Sequence, residues 1–404
     1  MSFPNENSEP NRSRNLTLPR LAAMGLMLLL ASCASPPAAV VTDEEVYLDE
    51  AVSRLGVSLA RQLATKLAPA GKTRFLAIDR MTDARSGQTT TLTQDLSQRI
   101  AKLLAASVPD AVVGMLDHEN LGKADLLVAG TLMNDISEDP HQRRLRVSVS
   151  AVDLKTGVIV AQSSVWLKGD YDTTPDLFYR DSPIVPRDTV VDAQSATARA
   201  LPGTQADPLY LNQLTTGAIL NEAESAYNAG NPAEAARLFE IAVNREDGRT
   251  LRTYTGLYLA NTRLDHKPES EEAFSGLVRE GFASNQLSIR FLFKVNSTEF
   301  VEDPLHGPQY PMWLRQLART FWNAKNCVEI SGHSSRSGST ELNDKLSEYR
   351  AEAVMRYMML TQPQIRSKVK WVGKGTRENI VGTGADDESD AVDRRVEFKA
   401  IPCP

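Results

Sequence analysis

Apolar residues recur along this chain with two different periods, and the changes of period divide it. Leu48, Val52, Leu55, Leu59, Leu63 and Leu67 form one stripe at three- and four-residue spacing, so an amphipathic helix is expected, stopped by Pro69-Ala70-Gly71. Residues 74–81 suit a strand, and Leu92, Leu96, Ile100 and Leu103 mark a second amphipathic helix. Two apolar runs, 111–116 and 125–132, read as buried strands. Leu145, Val147, Val149 and Ala151 then alternate, and Lys155-Thr156-Gly157 turns the chain into a returning strand over 158–167. Two helices and about five strands predict a small α/β domain over 44–169. Residues 170–209 carry Pro175, Pro183, Pro186, Pro202 and Pro208 among Asp, Ser and Thr, the composition of a linker. From 210 to 284 the period is helical throughout. The last stretch, 285–404, alternates again: a strand over 287–293, a helix through Trp313, Leu314, Leu317, Ala318 and Phe321, and a strand at Val328-Glu329-Ile330-Ser331. A helix through Leu342, Leu346, Tyr349, Ala353 and Tyr357 follows, then strands at Trp371-Val372 and Val396-Glu397-Phe398. This βαβαβ order with a returning strand builds a mixed sheet with helices on one face. The fold class is therefore multidomain α/β with a short helical segment between its two sheets.

Composition adds limits. The chain has 404 residues, 42% of them hydrophobic, enough for two or three ordinary cores. Its net charge of −6 gives no electrostatic reason to expect nucleic acid as a partner. His118, His141, His266, His306 and His333 are scattered singly, so neither they nor the cysteines show metal-ligand spacing, and no cofactor is implied.

The start of the chain reads as an export leader. Arg12, Arg14 and Arg20 precede the apolar run 21–30, which is short for a membrane span and fits a signal sequence. The run ends in Leu30-Ala31-Ser32-Cys33, which resembles the bacterial lipobox. That resemblance implies a signal peptide over 1–32, acylation of Cys33 and a tether over 33–43. Ala34 rather than Asp follows the cysteine, so the outer membrane, facing the periplasm, is the expected destination.

One stretch carries the chemistry: Gly332-His333-Ser334-Ser335-Arg336-Ser337-Gly338, running into the helix that Ser339 or Thr340 caps. On that helix Asn343, Ser347 and Arg350 share a face offset from the apolar stripe. A polar loop facing one arginine suits a small carboxylate, and it equally suits an ordinary solvated helix face. The stretch resembles the signature of the OmpA-like peptidoglycan-binding domain, with Gly332, His333, Asn343, Leu346, Ser347, Arg350, Ala351 and Val354 in one gapless register. Gly373-Lys374-Gly375 and Asp393-Arg394-Arg395-Val396-Glu397 resemble its closing element. The resemblance covers roughly 288–401. It implies that Arg350 grips the carboxylate of stem-peptide diaminopimelate, with Ser335, Asn343, Ser347, Gly332 and His333 around it. The family's loop aspartate is Ser335 here, so the ammonium end of the ligand is expected to be held less firmly.

Two weaker resemblances concern the rest of the chain. Residues 124–131 and 146–157 resemble the FlgO/LpoB/TolB-N-terminal group of envelope proteins. Ala223, Tyr227, Gly230, Ala235, Phe239 and Ala242 resemble a tetratricopeptide unit, although a plain helical spacer fits as well.

Gly332-His333-Ser334 begins like a nucleophile elbow, but Arg336 stands where that motif needs glycine, and no other catalytic motif is present. A non-enzymatic protein is expected. Its leading function is an outer-membrane lipoprotein tethering the membrane, or an assembly on it, to peptidoglycan. The alternative is a structural or regulatory component of an envelope machine, such as a flagellar outer ring, a secretion system or a peptidoglycan-synthase activator, working through protein partners or its own copies. Cys327 lies just before the second strand of the last domain and Cys403 just after its final strand. Antiparallel pairing of those strands would bring the two to one edge, so a disulfide is expected.

Overall fold

The computed structural model describes residues 41–66, 73–135, 144–294, 296–382, 384 and 389–403. The leader, Cys33, the turn at Pro69-Ala70-Gly71 and most of the tether lie outside the described residues. Among the described residues no helix is long and apolar enough to cross a membrane.

Strand β1 (Val41–Val46) leads into α1 (Leu48–Lys66). Then come β2 (Arg74–Ile78), β3 (Thr82–Asp83), α2 (Thr91–Ser107), β4 (Ala111–Met115), the single turn α3 (His118–Leu121) and β5 (Leu126–Asp135). The pair β6 (Arg144–Asp153) and β7 (Ile159–Leu167) completes one sheet in the order β1-β7-β6-β5-β2-β4, with β3 beside β5. The turn between β6 and β7 is set by Asp153, whose Oδ1 accepts the amides of Lys155 and Thr156, and by Gly157 at φ +71°. The expected helices and strands are present, and β1, β3 and the single turn α3 are additional.

Strand periodicity explains what covers this sheet. Leu76, Ile78, Leu126 and Val128 face α1 and α2 and share a core with Leu55, Leu59, Leu96 and Ile100. The intervening Ala77, Leu127 and Ala129, with Val152 and Ile159, are equally buried on the other face. That second face is closed by residues expected to be a linker. Helices α4 (Leu177–Asp181), α5 (Thr189–Arg199) and α6 (Pro208–Asn212) lie within 170–212, and α7 (Leu214–Asn228) follows. Ala193, Ala198, Tyr210, Leu214 and Ala218 pack onto the sheet. The linker reading of 170–209 is thus corrected. Its prolines fall outside the helices or, at Pro208, in a helix's first turn. Three of its aspartates are caps: Asp176, Asp188 and Asp207 accept the first amides of α4, α5 and α6.

Helices α8 (Pro232–Val243), α9 (Leu251–Arg263) and α10 (Lys267–Ala283) continue from α7. The Phe239 ring plugs the space that Gly256 leaves: a β-carbon there would meet it at 2.2 Å. The final sheet comprises β8 (Leu287–Ile289), β9 (Cys327–Gly332), β10 (Val369–Gly373) and β11 (Val396–Ile401), with α11 (Tyr310–Asn323) and α12 (Thr340–Met359). Its order is β10-β9-β11-β8, with β10 parallel to β9 and β11 antiparallel to both neighbours. The first strand is shorter than the expected 287–293.

No break in packing separates the helical segment from this sheet. One cluster runs from Phe178 through Tyr258 and Phe274 to Val328, Val354 and Phe398. Trp313 of α11 stacks on Phe274 at 5.2 Å and donates its Nε1 hydrogen to the Tyr258 hydroxyl at 3.1 Å. The free edge of β8 is covered too. Ile184 bridges Ile289, the Val185 amide donates to Ser288 O and the Arg290 amide to Pro183 O. The boundary expected at 284/285 therefore crosses a shared core.

Candidate functional site

The site is built where β9 ends and α12 begins. A β-carbon on Gly332 would lie 2.0 Å from the Ser347 carbonyl oxygen, and one on Gly373 would lie 2.5 Å from that of Asp344. These two glycines let the α12 backbone rest directly on β9 and β10. Ser347 Oγ donates to Asp344 O at 2.8 Å and accepts the Gly375 amide at 2.9 Å, tying the helix to the turn after β10. Asn343 Nδ2 donates to Ser337 O at 2.8 Å and shapes the loop ahead of the Ser339 cap. Ser335, buried, has its hydroxyl 3.2 Å from that of Ser337. Gly332, Asn343, Ser347 and Ser335 therefore build the loop and seat the helix.

Arg350 and His333 come together elsewhere, in a cavity of about 190 Å³ behind that loop. Arg350 is buried, donating Nε to Ser297 O at 3.2 Å and Nη2 to Lys294 O at 3.3 Å, with its guanidinium 5.0 Å from the Phe293 ring centre. Phe293, Val301, Arg394 and Arg395 line the same space, so three guanidiniums and an imidazole meet there. Ser335, Asn343, Ser347 and Gly332 do not line it. Phe293 and Arg394 were not singled out as site residues. Arg394 stands in the closing Asp393-Arg394-Arg395 element, which was the available signal, whereas Phe293 looked like one more strand residue.

His333 is 2% exposed, and burial pushes its imidazole below the ordinary range, partly offset by the neighbouring Glu397. Its Nε2 lies 3.6 Å from Glu397 Oε1, too far for a hydrogen bond. Burial alone would raise the Glu397 carboxyl, but the imidazole and the charges of Arg395 and Lys399 hold it well below the usual carboxylate range. Arg395 donates both Nε and Nη2 to Glu397 Oε1, at 2.9 and 2.8 Å. His333, Glu378 and Glu397 offer ligand atoms within 4.8 Å of one another. A cation there would compete with Arg395 and Lys399 at Glu397 and with Lys374 at Glu378, so this chemistry favours the ion pairs.

At the far end of β9, Cys327 faces Ile401 in register and is bridged to Cys403, Cα atoms 4.9 Å apart. The expected disulfide is present. Cys33, where acylation is expected, lies outside the described residues.

Comparison with known proteins matches these residues. The OmpA family model aligns with residues 293–393. The peptidoglycan-associated lipoprotein of Pseudomonas aeruginosa is 32% identical over 131 residues, spanning 31% of this chain and 73% of that protein. The protein of that name from Pseudomonas putida is 39% identical over 124 residues, spanning 30% of this chain and 70% of its own. Among solved structures, the peptidoglycan-associated lipoprotein from Burkholderia pseudomallei aligns at 24% identity and a TM-score of 0.23, covering 28% of this chain and 89% of that one. Through its C-terminal domain, the chain belongs to the OmpA family.

Proposed function

We propose that this protein is a non-enzymatic anchor of the cell envelope, held to the outer membrane through an acylated Cys33 and to peptidoglycan through the Arg350 cavity. The observation that carries the reading is that Arg350, Arg394 and Arg395 converge with His333 on one cavity, inside the stretch that the OmpA family model matches. A planar carboxylate is the group that a guanidinium fork recognises best. About 190 Å³ admits the end of a side chain rather than a whole stem peptide, which suits the carboxylate end of diaminopimelate. Ser335, which stands where the family resemblance places an aspartate, is neutral and does not line the cavity, so it adds no charged hold on the ammonium end. Losing one charged hydrogen bond of about 1.5–3 kcal/mol corresponds to about ten- to a hundredfold in affinity.

The α/β and helical parts favour a second, compatible reading, in which an envelope assembly docks on them and the last domain fixes its place at the wall. The shared core from Phe178 to Phe398 makes the chain a rigid spacer rather than a flexible leash. The deciding experiment is cosedimentation of the full chain with purified sacculi. Arg350→Ala and Arg394→Ala, each checked for native thermal unfolding, should abolish it, and Arg350→Lys should not restore it. Wild-type cosedimentation in both alanine variants would move the function to protein partners, read as copurification at fixed stoichiometry.

A further inference from the structure

A second cavity, about 430 Å³, lies where the α/β part meets the C-terminal sheet. It shares only Arg395 with the Arg350 cavity. Arg85 reaches it from the turn after β3, Arg187 from the segment that follows the β8 edge pairing, and Arg377, Arg395 and Lys399 from the last domain. Three carboxylates line it as well, and each is already matched. Asp192 pairs with Arg187 at 3.0 Å, Glu378 with Lys374 at 3.1 Å, and Glu397 with Arg395 and Lys399. The lining cations thus exceed the carboxylates by two. Counting Asp344, which holds Arg377, and Lys374 leaves that excess unchanged.

Two observations single out the polar groups that this pairing does not use. Among the described residues the Arg85 guanidinium has no hydrogen bond or ion pair, although its backbone is fixed by Asp83. Arg395 is 4% exposed and its Nη1 has no partner, while Asn379, also lining the cavity, has an Oδ1 with none. Buried donors and acceptors are almost always satisfied, so the Arg395 and Asn379 atoms mark places for a ligand atom, with the half-buried Arg85 beside them on the cavity lining. Unmatched guanidinium donors call for oxygen, and the Asn379 oxygen calls for a hydrogen-bond donor beside it.

We propose that this junction cavity binds a small oxyanion-bearing ligand, with a phosphate or carboxylate on Arg85 and Arg395 and an adjacent O–H or N–H group on Asn379. Hydrogen phosphate satisfies the pattern, and so does a peptide carboxylate next to its amide. Because the walls come from both halves of the chain, occupancy would tie the α/β part to the wall-binding domain.

Calorimetric titration of the full chain at constant ionic strength tests this, with inorganic phosphate in one arm and the dipeptide L-alanyl-D-glutamate in the other. Saturable binding is expected in at least one arm, weakened at least tenfold by Arg85→Gln and by Asn379→Ala and unchanged by Arg350→Ala. A phosphate-only response assigns a phosphoryl ligand and a dipeptide-only response a carboxylate, and either upholds the site. Absence of saturable binding in both arms overturns it. So does binding that Arg85→Gln and Asn379→Ala both leave at wild-type strength, and its loss with Arg350→Ala would then place it in the other cavity.

Discussion

The carbonyl oxygen of Ser347 lies 2.0 Å from the point where a β-carbon on Gly332 would stand. The neighbour is helix backbone, which cannot rotate aside, so any side chain at 332 forces α12 off β9. Gly332→Ala should therefore cost about 1–3 kcal/mol or more, read as a lowered urea midpoint. Sacculus cosedimentation should fall with it, because Arg350 rides on the same helix. An alanine variant with wild-type stability would show that the helix is not seated as described.

That contact explains both the legibility of the C-terminal domain and the limit of the reading. Gly332, Asn343 and Ser347 were recognisable because the loop and the helix seat demand those residue types. The same demand made them look like ligand contacts, whereas their bonds run to Asp344, Ser337 and Gly375. The cavity itself depends on Phe293 and Arg394, which are distant in sequence, and no periodicity reports which distant residues meet. The 170–209 segment failed for a different reason. Proline and aspartate at helix starts have the composition of a linker, and only the two-sided burial of 126–129 reveals that another layer is needed.

The Cys327–Cys403 bridge closes a span of 76 residues that contains β9, β10 and β11. In the chain-entropy account such a loop contributes about 4 kcal/mol. Cys403→Ser should lower the thermal midpoint, and a reductant should do the same to wild type while leaving the variant unmoved. Two reactive thiols in denatured, unreduced protein would rule the bridge out.

Glu224 on α7 is fully buried and joins the two ends of the α/β junction. It accepts from Arg252 on α9, from Arg80 just past β2 at 3.3 Å, and from the Tyr179 hydroxyl at 3.4 Å. Truncating it strands two arginines that are only partly exposed. Glu224→Ala should destabilise by about 3 kcal/mol. Arg80→Ala, which leaves Arg252 to compensate the carboxylate, should cost less. Urea unfolding of both variants gives the order, and equal losses would mean that Arg80 matters as much as Arg252.

Two groups, one buried and one half-buried, make opposite demands on pH within one window. His306 is 6% exposed, and burial, then the neighbouring Arg290, pushes its imidazole from 6.5 to about 4. Between those values the unfolded chain binds the proton and the folded one does not. Stability from this group is therefore complete above about 6.5 and lost as pH falls towards 4, by at most about 3 kcal/mol. Asp176 behaves in reverse. Burial, then repulsion from Glu224, raises its carboxyl from 3.8 to about 6. There the folded chain holds the proton, so stability is greatest below about 4 and declines as pH rises to 6, by a similar amount. In wild type the two slopes oppose each other. Subtracting wild type from each variant removes the background of all other titrating groups. The His306→Gln difference should grow in the variant's favour as pH falls from 6.5 to 4. The Asp176→Asn difference should grow in its variant's favour as pH rises from 4 to 6. Urea midpoints at pH 4, 5, 6 and 7 measure both, and difference profiles that slope the same way would contradict the assignment of either group.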